Sequence, residues 1–241
     1  MVSYENTFKE IQEAKPEIAV LPVGSLEQHS LHLPIGTDFL MAEHLARMVA
    51  EKLGAFLLPA QPYGNSQEHQ GFPGTVWISP TTLGLVVKDI CQALKQQGFR
   101  KIVVINGHGA NWILKPIIRE INLSDPEMMV LLMGPGAASA ALAGSRIELH
   151  CGKIETSRMM AAFPRLVKGK GEGFHPDVPR EFLDYVSLRE LSPKGVWGDP
   201  SGASAEIGRK TLDESTDAIV DEVRRTFTRL EEIKKRSEEN S

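Results

Sequence analysis

A chain of 241 residues is long enough to bury one large core, and a single domain over residues 1–241 is the simplest organisation. Its 27 basic and 31 acidic residues leave a formal charge of −4, with no basic block to follow a phosphate backbone, so nucleic acid is not expected as a partner. No apolar run is long enough for a membrane-spanning helix, and Cys91 and Cys151 alone do not make a disulfide framework, so a reducing cytoplasm is the expected location.

The first stretch, MVSYENTFKEIQEAKP, carries acidic residues and no apolar core of the secretory kind, so it reads as a first helix. Glu17 to Val23 is a short apolar run between Pro16 and Gly24, a buried strand. From Asp38 the apolar residues take helical spacing up to a stop at Gly54, and AFLLPA then reads as a second strand. Thr81 to Gly98 is again helical in period and feeds the β-branched run Lys101 to Asn106. A helix after NGHGAN reaches about Asn122, and MMVLLMG is the next strand. Strands alternating with helices predict a mainly parallel sheet covered on both faces, a three-layer α/β/α sandwich. Gly134 to Gly144, rich in alanine and glycine, reads as a loop or a small-residue packing surface. A further helix starts near Glu155, and Val167 to Ser204 is a long irregular excursion beside the site or at a subunit contact. From Leu212 an amphipathic helix dissolves into charge, with frayed last residues.

Ligands in open α/β sheets sit beyond the carboxyl ends of the strands, and two loops leave strands at that edge. The first, GSLEQHSLHLPIGTD, offers Glu27, His29, His32 and Asp38; the second, NGHGAN, offers His108. One histidine alone is more often a structural residue. Carboxylates and imidazoles gathered at strand ends are different, because buried charges without a partner are unfavourable and a cation resolves them. Such mixed ligands suit zinc, manganese or iron, and the spacing does not choose among these. No GxGxxG or GxxxxGK[ST] run is present, which counts against a dinucleotide-dependent oxidoreductase or a nucleotide-driven reaction.

LPVGSLEQHSLHLPIGTD, FPGT, NGHGAN, HCGKIETS and GVWGDPSGASAEIG, in this order, resemble the creatininase family over most of the chain. The resemblance implies a creatininase-like fold and a two-metal amidohydrolase site in which Asp38 bridges both ions. Glu27 and His108 would complete one ion, and His29 would hold the second. In creatininase a glutamate two positions after the NGH histidine is the partner of that second ion. Here Ala110 takes its place, and Glu155 either replaces it or braces the helix start. His150 matches the family histidine that shuttles a proton to the departing nitrogen; its bland alternative is a hydrogen-bonding brace.

His32 and His69 are assigned to substrate contact or to bracing the ligands, whereas His44 and His175 are left to packing or the surface. Creatinine itself is doubtful as a substrate. Creatininase places a tyrosine after the NGH histidine and a tryptophan four residues before the shuttle histidine, and those places are Gly109 and Arg146 here. Arg146 is thus a candidate contact for a substrate carboxylate or phosphate, and Lys153 stands where many relatives carry an acid. The family also includes a formamidopyrimidine deformylase, a peptidase of mycofactocin maturation and a hydrolase opening an oxidised inositol ring, all using water at a carbonyl. Expected, then, is an amide hydrolase for a small molecule. Opening of a cyclic ketone or lactone and a non-catalytic metal-binding relative remain the alternatives, and a homo-oligomer, a hexamer by resemblance, is expected.

Overall fold

The computed structural model describes residues 1–134 and 148–239. The sheet has five parallel strands: β1 (Val2–Ser3), β2 (Ile18–Val23), β3 (Phe56–Leu57), β4 (Lys101–Asn106) and β5 (Met129–Met133), in the order β1-β3-β2-β4-β5. Helix α2 (Thr37–Leu53) carries the chain from β2 to β3 on one side, and α3 (Pro80–Gln96) returns it across β2 to β4. β2 and β4 are therefore the strands between which the winding reverses direction, the place where such sheets open a crevice.

Side chains alternate between the two faces of each strand. Ala19, Leu21, Ile102 and Val104 pack under α3 and α4 (Leu114–Ser124). Val20, Val103 and Ile105 face α2 and the C-terminal helix. The three expected layers follow, and the middle of the long strands is apolar because neither face meets water. Each buried Val, Leu or Ile contributes about 1.5–3 kcal/mol, so both faces help fix the sheet's register.

Local signals set the helix ends. Ser79 accepts a hydrogen bond from the Thr82 amide with Pro80 at the first helical position, and Gly54 closes α2 in the left-handed conformation. The first stretch differs from expectation: β1 pairs with β3, and only Phe8–Ala14 forms α1, started by a Thr7–Glu10 capping box. Beyond the second described segment's start come α5 (Lys153–Ala162), a short α6 (Leu188–Leu191) and α7 (Ala205–Glu239). The last helix begins before Leu212 and continues through the charged stretch to Glu239, where i,i+3 and i,i+4 pairs such as Arg229–Glu232 support it. The Ala- and Gly-rich run from Gly134 lies almost wholly outside the described residues. Among those described, no helix is long and apolar enough to cross a membrane.

Candidate metal centre

In-register pairing of β2 with β4 sets Val23 beside Asn106, so the loops that follow them emerge side by side. Two glycines let the backbones meet. A Cβ on Gly24 would run into the Phe39 backbone, and one on Gly107 would lie 2.8 Å from the Asp38 carbonyl oxygen. The glycine at 107 thus serves closeness to α2, not to a ligand, and open space surrounds Gly109. Asn106 holds the turn by accepting from the His108 amide and donating to its carbonyl, while Asn111 donates to the Gly24 carbonyl.

Glu27, His29, Asp38 and His108 converge and all are buried. His29 Nε2 lies 3.3 Å from Asp38 Oδ1 and 3.4 Å from Glu155 Oε1. His108 Nδ1 lies 2.8 Å from Asp38 Oδ2 and 3.1 Å from Glu27 Oε2. Asp38 thus lies between two groups of ligand-type side chains, one with Glu27 and His108 and one with His29 and Glu155.

The other nitrogen of each ring reveals what the cluster lacks. His29 Nδ1 is 3.1 Å from the Glu27 carbonyl oxygen, and His108 Nε2 is 3.1 Å from the Asn65 carbonyl oxygen. Carbonyl oxygens only accept, so those nitrogens carry the hydrogen and donate it. Each remaining ring nitrogen then aims a lone pair at two carboxylates. Only a proton or a metal ion between them makes that arrangement favourable. Both Glu27 oxygens and His29 Nε2 are buried with no well-aligned hydrogen bond, an orphaned set that a bound cation would satisfy. Carboxylate oxygens and imidazole nitrogens whose second ring nitrogen is held by a carbonyl form a donor set suited to divalent ions.

Electrostatics agree. Burial opposes charge on His29, yet Glu155 and Asp38 raise its pKa well above the usual imidazole value. Burial likewise opposes charge on His108, and Glu27 and Asp38 raise it well above that value. Asp38 is held low despite its burial, chiefly by His29 and His108, while burial pushes Glu27 well up.

Glu155 is brought to this site by α5 and by a strained turn. Cys151, a non-glycine residue at φ 59°, turns its amide to donate 2.7 Å to Glu155 Oε2, which leaves Oε1 facing His29. His150, one residue earlier, donates from Nε2 to the Gln28 carbonyl at 2.8 Å. Its Nδ1 is thereby left as an acceptor, 3.7 Å from Glu27 Oε1, and burial lowers its pKa to about 4.

His69 is buried with Nε2 3.3 Å from Glu27 Oε1, and burial and neighbouring imidazoles hold its pKa well below normal. Glu27, Asp38, His69, His108, His150 and Glu155 open onto one cavity of about 800 Å³, whose far wall includes Gly109, Trp112 and Tyr185.

His32, assigned to substrate contact or to bracing the ligands, is not among the residues that line that cavity. It is buried and lies 3.1 Å from Thr156 Oγ1, packed so closely on Gly171 that a Cβ there would meet its ring at 2.6 Å. Its position braces α5 against the ligand loop, the second of those two readings. Arg146 lies outside the described residues. His44 packs edge-on against Phe163.

Two residues were missed from the sequence. The buried amide of Gln28 donates to the Gly195 carbonyl at 3.0 Å and lies 3.0 Å from His69 Nδ1, so it ties the ligand loop to His69 and to the segment around Gly195. Its approach to His150 Nε2 at 3.1 Å is not a hydrogen bond, because that nitrogen already donates to the carbonyl. Glu68 Oε1 sits 3.1 Å from His108 Nε2 and strengthens that ring's donor side. Its place beside His69 was the only hint of this.

A parallel sheet with buried carboxylates and imidazoles at its switch point has the make-up of an α/β metal-binding enzyme site. The family model described as creatinine amidohydrolase matches residues 4–223, and the chain belongs to the creatininase family. Creatinine amidohydrolase of Pseudomonas putida is 32% identical, with 92% of this chain and 96% of that protein covered. The mycofactocin precursor peptide peptidase of Mycolicibacterium smegmatis is 30% identical, covering 91% and 89%. A 2-amino-5-formylamino-6-ribosylaminopyrimidin-4(3H)-one 5'-monophosphate deformylase of Methanocaldococcus infernus is 26% identical, covering 90% and 96%. The crystal structure of creatininase superposes with a TM-score of 0.81 at 28% identity over 94% of this chain and 98% of that one. Solved creatininases in a manganese form and a Zn-Zn form give TM-scores of 0.80 and 0.78. The fold is thus the creatininase-like sandwich, and the family is one of hydrolytic, metal-dependent amidohydrolases.

Proposed function

We propose that this chain hydrolyses a carbon–nitrogen bond other than a peptide bond, in a cyclic amide or formamide of a small molecule, with two divalent ions. The observation that carries the reading is the pair of ring lone pairs, on His29 and His108, each facing two carboxylates. Glu27, Asp38 and His108 would hold one ion, and His29, Asp38 and Glu155 the other. Ions bound there would make a water nucleophilic near neutral pH and polarise a carbonyl oxygen.

The chain's own groups supply the rest. His150, neutral because burial holds its pKa to about 4, presents Nδ1 as a base toward Glu27. That nitrogen takes a proton from the attacking water and returns it to the departing amine nitrogen. The Gln28 carbonyl fixes the tautomer that makes this possible. His69 at Glu27 and Glu68 at His108 keep the ligand groups oriented. Gly109, where creatininase carries a tyrosine, leaves room for a substrate other than creatinine. A single domain, a cytoplasmic location and a homo-oligomer, with neither nucleic acid nor membrane as a partner, complete the proposal.

A second reading, hydrolysis of a peptide bond, is favoured by one observation: the cavity of about 800 Å³ is roomy for a small ring and is flanked by the exposed rings of Trp112 and Tyr185. Ring opening of a lactone or cyclic ketone would use the same carbonyl chemistry. Elemental analysis of protein purified without chelators, with a screen of cyclic amides, formamides, lactones and short peptides, separates these readings. About two ions per chain and turnover of a non-peptide amide are expected. Metal-free protein, or metal-loaded protein that turns over peptides alone, would overturn the first reading.

A further inference from the structure

The cavity of about 800 Å³ has a charge pattern that the chemistry described so far does not use. Beyond the ligand groups, its lining carries the acids Glu68, Glu181, Asp184 and Glu190 against one arginine, Arg180, and no lysine. Glu190 Oε2 accepts from the amide and the hydroxyl of Ser187, neutral donors that hold its pKa below the usual value without balancing its charge. Among the described residues Arg180, Glu181 and Asp184 form no ion pair. Exposed acids alone are ordinary, but a buried acceptor on the same wall is not. Asn65 is 6% exposed and lines the cavity. Its Nδ2 donates to the Ala110 carbonyl at 3.2 Å, so reversing the amide would set two oxygens against each other. That orientation leaves Oδ1 buried without a donor, and an acceptor in this state calls for an N–H.

Two large rings face the same space. Trp112 is 61% exposed and Tyr185 80% exposed, and both line the cavity. The face of an aromatic ring attracts a cation, tryptophan most strongly. Negative charge, a donorless acceptor and aromatic faces therefore meet on one wall. We propose that the outer part of this cavity receives a cationic nitrogen group carried by the substrate, a protonated amine or guanidine. Such a group brings the N–H donors and the positive charge that the wall lacks, whereas a carboxylate or phosphate would meet four acids. The inference deepens the proposed hydrolase and rests on it. With ions held by Glu27, Asp38 and Glu155, the inner end repels a cation, so the scissile carbonyl faces the ions and the charged group lies toward Trp112 and Tyr185.

Isothermal titration of the metal-loaded protein with phenylguanidine and with phenylurea tests this, since the two are alike in shape and differ in charge. Metal loading covers the inner carboxylates, so that the outer wall alone answers. Phenylguanidine is expected to bind about tenfold more tightly in the wild type, as a cation–π contact and an exposed charge contact together would give. Glu181→Gln with Asp184→Asn should bring the ratio down to about two to three, the share left to the rings. Trp112→Leu should lower it too, because leucine keeps apolar contact but has no aromatic face. All three side chains are exposed, so the fold does not depend on them. A ratio near one in the wild type, or a ratio that the double variant leaves unchanged, overturns the subsite. Elemental analysis of the same samples reports separately on the metal reading. Full metal content with a ratio near one defeats the subsite and leaves the hydrolase standing.

Discussion

The candidate centre has two halves built in different ways. Glu27, His29, Asp38 and His108 stand on strand ends and a helix start, over a core that is buried on both faces of the sheet. The opposite wall comes from a strained turn at Cys151, from α5, and from an irregular stretch that ends in the exposed ring of Tyr185. The first half is fixed by the register of β2 with β4, so its geometry is as stable as the fold. The second is fixed by a few side-chain contacts, such as the Cys151 amide on Glu155 and the Gln28 amide on Gly195. Reaction chemistry that a family shares suits the first kind of support, and substrate choice suits the second.

Breaking the strand-end half should have the largest effect. Asp38 faces both ligand groups, so Asp38→Asn is expected to reduce bound metal to background and abolish turnover while the circular dichroism spectrum stays native. A variant that keeps its full metal would end the claim that Asp38 joins the two groups. His150→Asn tests the other half. Metal content should stay unchanged and turnover should fall about 10²- to 10⁴-fold, the usual contribution of a positioned acid–base group. Loss of metal together with turnover would make His150 a ligand instead. Glu155→Gln should cost one of the two proposed ions, because Oε1 lies 3.4 Å from His29 Nε2 on the His29 side of the site.

This contrast also marks where the sequence was legible. Strands β2 and β4 announced themselves through apolar runs, and ligand-type residues directly after them pointed to the site. β1 did not, since its two residues form a strand only by pairing with β3. Glu155 was reachable as a candidate because the motif around it, HCGKIETS, is intact. Gln28 was not, although it sits between Glu27 and His29. An amide has no charge to draw attention, and its role depends on Gly195, which lies far along the chain. His32 looked like a member of the ligand loop, but chain proximity did not turn its ring toward the cavity.

A smaller effect is expected from pH. His29 and His108 have pKa values raised above the usual imidazole value, so at neutral pH the metal-free protein holds protons where the ions would bind. Metal must displace these protons, and affinity therefore increases as pH rises toward the raised pKa values and levels off above them. Chelator competition between about pH 6 and about pH 8 should show roughly a tenfold gain per pH unit for each proton released. Affinity that is flat over that range would mean that the ring nitrogens facing the carboxylates are already free of protons.

The mildest and most discriminating change is at the joint between the halves. Gln28 carries two separate functions: its backbone carbonyl sets the His150 tautomer, and its side-chain amide engages His69 and Gly195. Gln28→Met keeps the first and removes the second. His69 Nδ1 then loses the donor that keeps its hydrogen on Nε2, next to Glu27. Metal affinity is expected to weaken about ten- to a hundredfold, as is usual when a group orienting a ligand is lost. Nitrogen-15 spectra of the imidazoles should show His69 shifting between tautomers while His150 does not change. If both rings change together, the carbonyl and the amide act as one unit, and the two halves of the site are less separable than their supports suggest.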